Sequence, residues 1–339
     1  MKNYIKNFKS FYSKKQMGQI RVFFLLSIFA MTLEILSVGL IIPLLTLLVE
    51  PSFSINLIDI LKRYGFHIAS EKDLILLSIF LLLIVFLTKT LFLTYVSYKQ
   101  TKFTTNFKTE VTNKLFNIYL SKPYIFHLYN NSAKLIRNLH DSTYIVIITK
   151  SLLILMSEIT VMFGIFCLMI FYEPLGTITT FLFLLISGYL FYIVVQKNAA
   201  KWGTSRKIHE GKRIQSLQQG FSAIKDIKIL NKLEYFLNSF SEQNKITNES
   251  VFKEQYAASL PRLWLEFFAV IGFIVLFLIL INFKDNFYEI IPIVGFFTAA
   301  AFRIMPSVTR VMNSIQAIKF GLPVADTYLK EFQSSTDIE

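Results

Sequence analysis

The chain has 339 residues, of which 54% are hydrophobic and 35 are Phe, with a net charge of +13 and a mean hydropathy of +0.52. That balance excludes a soluble globular domain and a disordered chain, and places the protein in a membrane. The one cysteine, Cys167, excludes an intrachain disulfide.

Six apolar runs follow in order: Val22–Val49, Leu74–Tyr98, Tyr144–Tyr172, Pro174–Gln196, Leu260–Phe283 and Ile290–Met312. Each is long enough to cross a hydrocarbon core of about 30 Å as a helix. The first lacks a short apolar core ending in an A-x-A-like cleavage site, so it is read as a retained helix rather than a signal peptide. Pro43, Pro292 and Pro306 lie within runs, where they mark either kinks that permit rocking or simple packing bends.

The connections are unequal. Lys99–Thr143 has 45 residues and Lys197–Ser259 has 63, against 24, 1 and 6 for the others. Residues 1–21 hold six basic residues and no acid, and the two long connections hold seven and eleven basic residues against two and six acidic. The three short connections together hold four basic and seven acidic. This asymmetry predicts that both termini and both long connections are cytoplasmic. The basic charge sits beside the spans, where anionic lipid accounts for it and nucleic acid is not expected.

The long connections read as helical. Val111, Leu115, Ile118 and Tyr119 recur at helical spacing, Pro123 breaks that helix, and Leu135, Ile136 and Leu139 resume it. The second connection repeats the shape, with a break near Asn231–Glu234. Two hairpins are expected, each with a short segment at its tip. In the 24-residue connection, Leu57, Ile60, Leu61 and Tyr64 share one helical face ahead of Gly65. That face suits an amphipathic helix at the membrane interface, or an ordered surface loop.

Eight ionisable residues fall within the runs: Glu34, Lys89, Lys150, Glu158, Arg262, Glu266, Arg303 and Arg310. Such residues are costly in lipid and face a cavity or a partner. Arg303 and Arg310 are seven apart and share a helix face, while Arg262 and Glu266 are four apart and within pairing reach. Repeated arginine on one face suits a phosphate-bearing ligand, because guanidinium offers a planar fork of donors. Lys89, Lys150, Arg262 and Arg310 can alternatively reach the interface from span ends. Glu34 and Glu158 fit interhelical hydrogen bonding as well as a functional role. No phosphate-binding glycine loop, dinucleotide fingerprint or metal-ligating His pair occurs, and the four histidines are scattered. No catalytic residue or metal site is expected, and this chain alone is not expected to hydrolyse ATP.

Against this background the residues Tyr119-Leu-Ser-Lys-Pro-Tyr-Ile-Phe-His-Leu-Tyr-Asn-Asn-Ser-Ala-Lys-Leu-Ile-Arg-Asn-Leu-His-Asp141 resemble the first intracellular loop of ABC exporters. Gly220-Phe-Ser-Ala-Ile-Lys-Asp-Ile-Lys-Ile-Leu-Asn-Lys-Leu-Glu-Tyr-Phe236, with Phe240, resembles the second. Phe302-Arg-Ile-Met-Pro-Ser-Val-Thr-Arg310 through Phe332 is similar to the sixth helix and its exit toward the ATPase. The resemblance implies an all-α membrane protein of six transmembrane helices with long cytoplasmic helical extensions. It would comprise a cytoplasmic segment over 1–20, the transmembrane domain over 21–332, and the start of a linker over 333–339. Coupling helices against a nucleotide-binding domain are implied at Tyr124, Ile125, Phe126, His127 and Leu128, and at Asn231, Lys232, Leu233, Glu234, Tyr235 and Phe236.

Within that family, Ile246-Thr-Asn-Glu-Ser250, Pro261-Arg-Leu-Trp-Leu-Glu266 and Arg303-Ile-Met-Pro306 are similar to the PglK-type flippase of lipid-linked oligosaccharides. That likeness implies a polyprenyl-pyrophosphate glycan as substrate, with Lys89, Arg262, Arg303 and Arg310 lining its cavity. Lys89 stands where the family has arginine. It further implies a homodimer in the bacterial cytoplasmic membrane, an external lipid-engaging helix at Leu57–Tyr64, and ATP and Mg held by a nucleotide-binding domain in the same chain or a separate subunit. Other readings are an exporter of peptide or another lipid, a scaffold or sensor without an ATPase, and a proton-driven transporter acting through Glu34 and Glu158.

Overall fold

A computed structural model describes residues 12–49, 71–283 and 287–336. The expected interfacial helix at Leu57, Ile60, Leu61 and Tyr64 lies outside the described residues.

Ten α-helices carry nearly all of the described chain: α1 (Lys14–Gly39), α2 (Ile41–Val49), α3 (Glu71–Ser121), α4 (Tyr124–Tyr129), α5 (Ser132–Tyr172), α6 (Pro174–Val194), α7 (Ala199–Ser222), α8 (Ile224–Ile229), α9 (Leu233–Phe283) and α10 (Phe287–Thr336). Among the described residues there is no strand, and six helical segments are long and apolar enough to cross a membrane.

Local chemistry sets the breaks. Ser13 and Gln16 form a reciprocal capping box that starts α1. The first apolar run divides at Leu40, because the ring of Pro43 cannot tolerate a helical carbonyl four residues earlier, at Gly39. Pro123 ends α3 and is the N-cap of α4. The Asn131 side chain accepts the Ala133 amide and opens α5. Glu173 alone separates α5 from α6, and Pro174 takes the first helical position of α6, where its missing N–H costs nothing. The prolines at 261, 292, 306 and 323 lie within unbroken helices.

α3 runs 51 residues and α5 runs 41, so both spans continue into the first hairpin without interruption. The second hairpin descends through α7 and returns in the 51-residue α9. Its tip departs from the expected position. The short helix there is Ile224–Ile229, not Asn231–Phe236. Asn231 adopts a positive φ of 52°, which makes it the turn residue, and Leu233 already belongs to the ascending limb. Asparagine tolerates this left-handed conformation because its side chain bonds locally.

α10 is the central element, packed along α5 and α7 and also against α2 and α9. Its inward face contributes Phe296, Ala300, Ile304 and Met312 to the membrane core, against Val161, Ile165 and Met169 of α5. A second cluster, at the hairpin end, joins Phe107, Leu115 and Tyr119 of α3 to Ile145 of α5 and Val324 and Tyr328 of α10. Gly203 lets α7 and α10 touch: a Cβ there would lie 2.1 Å from the Phe320 carbonyl oxygen. Tyr12, just before α1, stacks on Phe107 at 5.2 Å and bonds Thr149 at 3.0 Å. Burial pushes its hydroxyl up to about 12, so the phenol stays neutral and serves as a hydrogen-bonding group. The start of α1 and the end of α10 therefore lie on the same side as both hairpins.

Candidate functional site

Five of the ionisable residues in the spans form one continuous chain of alternating charge, drawn from four helices. Counted from the helix ends remote from the hairpins, Lys89 is 18 residues into α3, Glu158 is 14 into α5, and Arg303 and Arg310 are 16 and 23 into α10. At 1.5 Å per residue they lie between about 20 and 35 Å from those ends.

Lys89 Nζ donates to Glu34 Oε1 and to Ser37 Oγ, both at 3.2 Å, and sits 4.4 Å above the Phe86 ring. The same Glu34 oxygen accepts from Arg303 Nε. Arg303 Nη1 donates to Ser307 Oγ at 2.5 Å and lies 3.8 Å from Glu158 Oε2. Ser307 in turn donates to Glu158 Oε2 at 2.7 Å, and Arg310 Nε donates to Glu158 Oε1 at 2.6 Å. The order is Lys89, Glu34, Arg303, Glu158, Arg310. Three cations face two carboxylates, which leaves one positive charge in excess.

The helical repeat explains the placement. Arg303, Ser307 and Arg310 fall at i, i+4 and i+7, so one face of α10 presents all three. That face meets α1 and α5, whose only buried carboxylates in the spans are Glu34 and Glu158. Buried charge is tolerable only when paired and hydrogen-bonded, and each carboxylate here touches two cations. The most buried member is Glu34, with its side chain 1% exposed, and the most exposed is Arg310, at 45%. Arg310 reaches Glu158 through Nε and is the most accessible member.

The structure thus brings Lys89, Arg303 and Arg310 together and leaves Arg262 apart. Arg262 pairs with Glu266 at 2.8 Å on α9, with its side chain 80% exposed. Glu34, Glu158 and Ser307 complete the site. Their role was half visible in the sequence: both glutamates stand out in apolar runs, but Ser307 is one of many hydroxyls and is marked only by its position one turn after Arg303.

Nearer the hairpin tips lies a second polar cluster. Asp141 of α5 pairs with Arg206 of α7 at 2.7 Å and with Arg137 at 3.9 Å. The Arg206 guanidinium also lies 4.2 Å from the Tyr144 ring. Asn138 donates to the Tyr119 hydroxyl at 2.8 Å, and its backbone carbonyl accepts from Tyr328 of α10. This buried clasp fastens the two hairpins and α10 to one another. Its links from α5 to α7 and to α10 join residues 65 and 190 apart in sequence, so no local spacing announces them.

At the tips, α4 has no buried residue, and Tyr124, Ile125, Leu128 and Tyr129 are exposed while Phe126 packs near Tyr119. On the second tip Ile224, Ile229, Leu230, Leu233 and Tyr235 are exposed and Ile227 is buried. Exposed apolar side chains at the ends of long helical limbs suit a protein partner. Among the described residues no cluster of His, Cys, Asp and Glu suits a metal ion.

The architecture of six spans and two long helical hairpins agrees with a comparison of the sequence with known families. Residues 17–307 match the ABC transporter transmembrane region, and the chain belongs to that family.

Proposed function

We propose that the protein is the membrane half of an ATP-driven exporter that flips an amphipathic lipid with a phosphate or pyrophosphate head, of the lipid-linked oligosaccharide kind. The family gives it a transport role and a nucleotide-binding domain as partner. The substrate assignment rests on one observation: three cations, two of them arginines on one face of α10, gathered within the apolar bundle with Arg310 accessible. Guanidinium and ammonium groups in a low-dielectric setting favour an anionic head, and a planar fork favours phosphate oxygens.

In this reading two copies of the chain form the cavity, and Arg262, exposed on α9, meets the substrate or the second copy. ATP and Mg bind to the nucleotide-binding domains. The tip helices Tyr124–Tyr129 and Ile224–Ile229 receive their closure. ATP performs work because it binds the closed arrangement better than the open one. The protein sits in a bacterial cytoplasmic membrane with both termini and both hairpins in the cytoplasm, in keeping with their basic charge.

The test is flipping by the assembled transporter in vesicles, with a polyprenyl-pyrophosphate lipid and a neutral polyprenyl lipid as alternative cargo. Arg310→Ala should slow movement of the pyrophosphate lipid at least about tenfold, the scale of one lost charge-assisted hydrogen bond. Equal transport of the two lipids by the unaltered protein would favour an exporter of peptide or another lipid.

A further inference from the structure

The cations of the intramembrane chain are already occupied by carboxylates of the protein itself. An anion that draws the whole Arg310 guanidinium to itself must take its Nε from Glu158, and a stranded buried carboxylate would be costly. The pairing removes that obstacle. Glu158 has two cationic neighbours and a hydroxyl: Arg310 at 2.6 Å, Arg303 at 3.8 Å and Ser307 at 2.7 Å. If Arg310 turns to a ligand, Glu158 keeps Ser307 and closes on Arg303. Glu34 likewise keeps Lys89 if Arg303 swings toward Glu158.

We propose that Glu158 is a built-in competitor for the substrate head, a specificity-determining residue that occupies Arg310 until an anion of sufficient charge displaces it. Displacement passes the carboxylate to Arg303 and loosens the Arg303–Glu34 contact between α10 and α1. Arrival of cargo is thereby felt at a helix contact it does not touch. A single weak anion competes poorly with a carboxylate held at 2.6 Å. A pyrophosphate, carrying charge on two adjacent groups, can hold Arg310 and approach Arg303 at once. The excess positive charge of the chain, three cations to two carboxylates, favours the anion once it has entered.

The inference rests on the reading that Arg310 receives an anionic head. Its test is the ATPase activity of the assembled transporter in neutral-lipid nanodiscs, titrated with undecaprenyl pyrophosphate, undecaprenyl monophosphate and undecaprenol. The unaltered protein should need about tenfold more monophosphate than pyrophosphate for half-maximal stimulation, the scale of one charge-assisted contact. Glu158→Gln keeps the shape and a hydrogen-bonding oxygen but cannot hold Arg310 by charge. It should strengthen the response to monophosphate and narrow the gap. Glu158→Asp, with a carboxylate too short to span Ser307 and Arg310, should act in the same direction more weakly, and serves if the amide variant is not monodisperse. An unchanged gap in both variants, or equal weakening of both lipids, overturns the competitor role while leaving the phosphate reading intact. If undecaprenol stimulates as well as either phosphate, both fall together.

Discussion

At the scale of single residues, Glu34 is the most committed group in the membrane bundle. Its side chain is almost fully buried, and one of its oxygens accepts from both Lys89 and Arg303. Glu34→Ala would leave two cations facing an apolar gap. Removing one partner of a buried pair costs about 3–5 kcal/mol, so thermal unfolding of the purified protein in detergent should shift downward clearly. The combined change Glu34→Leu, Lys89→Met and Arg303→Met should recover much of the loss, since replacing a buried ion network by hydrophobic residues of similar volume is often neutral. The sequence showed that these charges were present and that Arg303 and Arg310 share a face. It did not show that carboxylates from α1 and α5 reach them, because the partners lie 152 and 269 residues apart. Arg262 illustrates the converse: its neighbour Glu266 is local, at i+4, and that pairing was readable from spacing alone.

At the scale of elements, the break at Pro123 was the most legible feature, whereas the caps at Ser13 and Asn131 and the division of the first run at Leu40 were not read. Ser13, Pro123, Asn131 and Pro174 each act through chemistry confined to one turn, so their effect does not depend on the rest of the fold. The second tip was legible in part. The break read near Asn231–Glu234 falls where Asn231 turns through its left-handed φ, but the short helix lies before it, at Ile224–Ile229. The contact of α7 with α10 is cryptic in sequence, since Gly203 there resembles any other helical glycine. Gly203→Val would force its side chain onto the Phe320 carbonyl, which cannot yield without moving α10. Overpacking of this kind costs about 1–3 kcal/mol or more, and proteolysis in the hairpins should become faster. The clasp gives a complementary prediction. Asp141→Ala leaves Arg206 buried without its carboxylate. Disulfide trapping between cysteines placed on α5 and α7 near this level should then show a broader range of pairings, as the hairpins part.

At the scale of the whole molecule, the architecture followed from the number of spans and the lengths between them, while the likeness to the family rested on the residues of the two hairpins and the last span. The exposed tips carry the remaining prediction. Ile125→Asp with Ile229→Asp should abolish transport by the assembled transporter while its ATPase activity persists, because both side chains stand on the apolar tip surfaces and touch no core. Loss of the membrane domain itself in that variant would instead show that the tips stabilise the fold. The unbroken run of α3 has a mechanical consequence. A helix of 51 residues is about 76 Å long, of which roughly 30 Å fits the hydrocarbon layer. The rest is a rigid handle longer than the part it turns. Pivoting near the membrane surface, a tip pushed sideways by 10 Å would tilt such a rod by roughly 13° and swing its far end the opposite way by about 7 Å. The protein therefore gears force down in distance and up in strength: a modest push at the tips becomes a smaller, firmer parting of the spans.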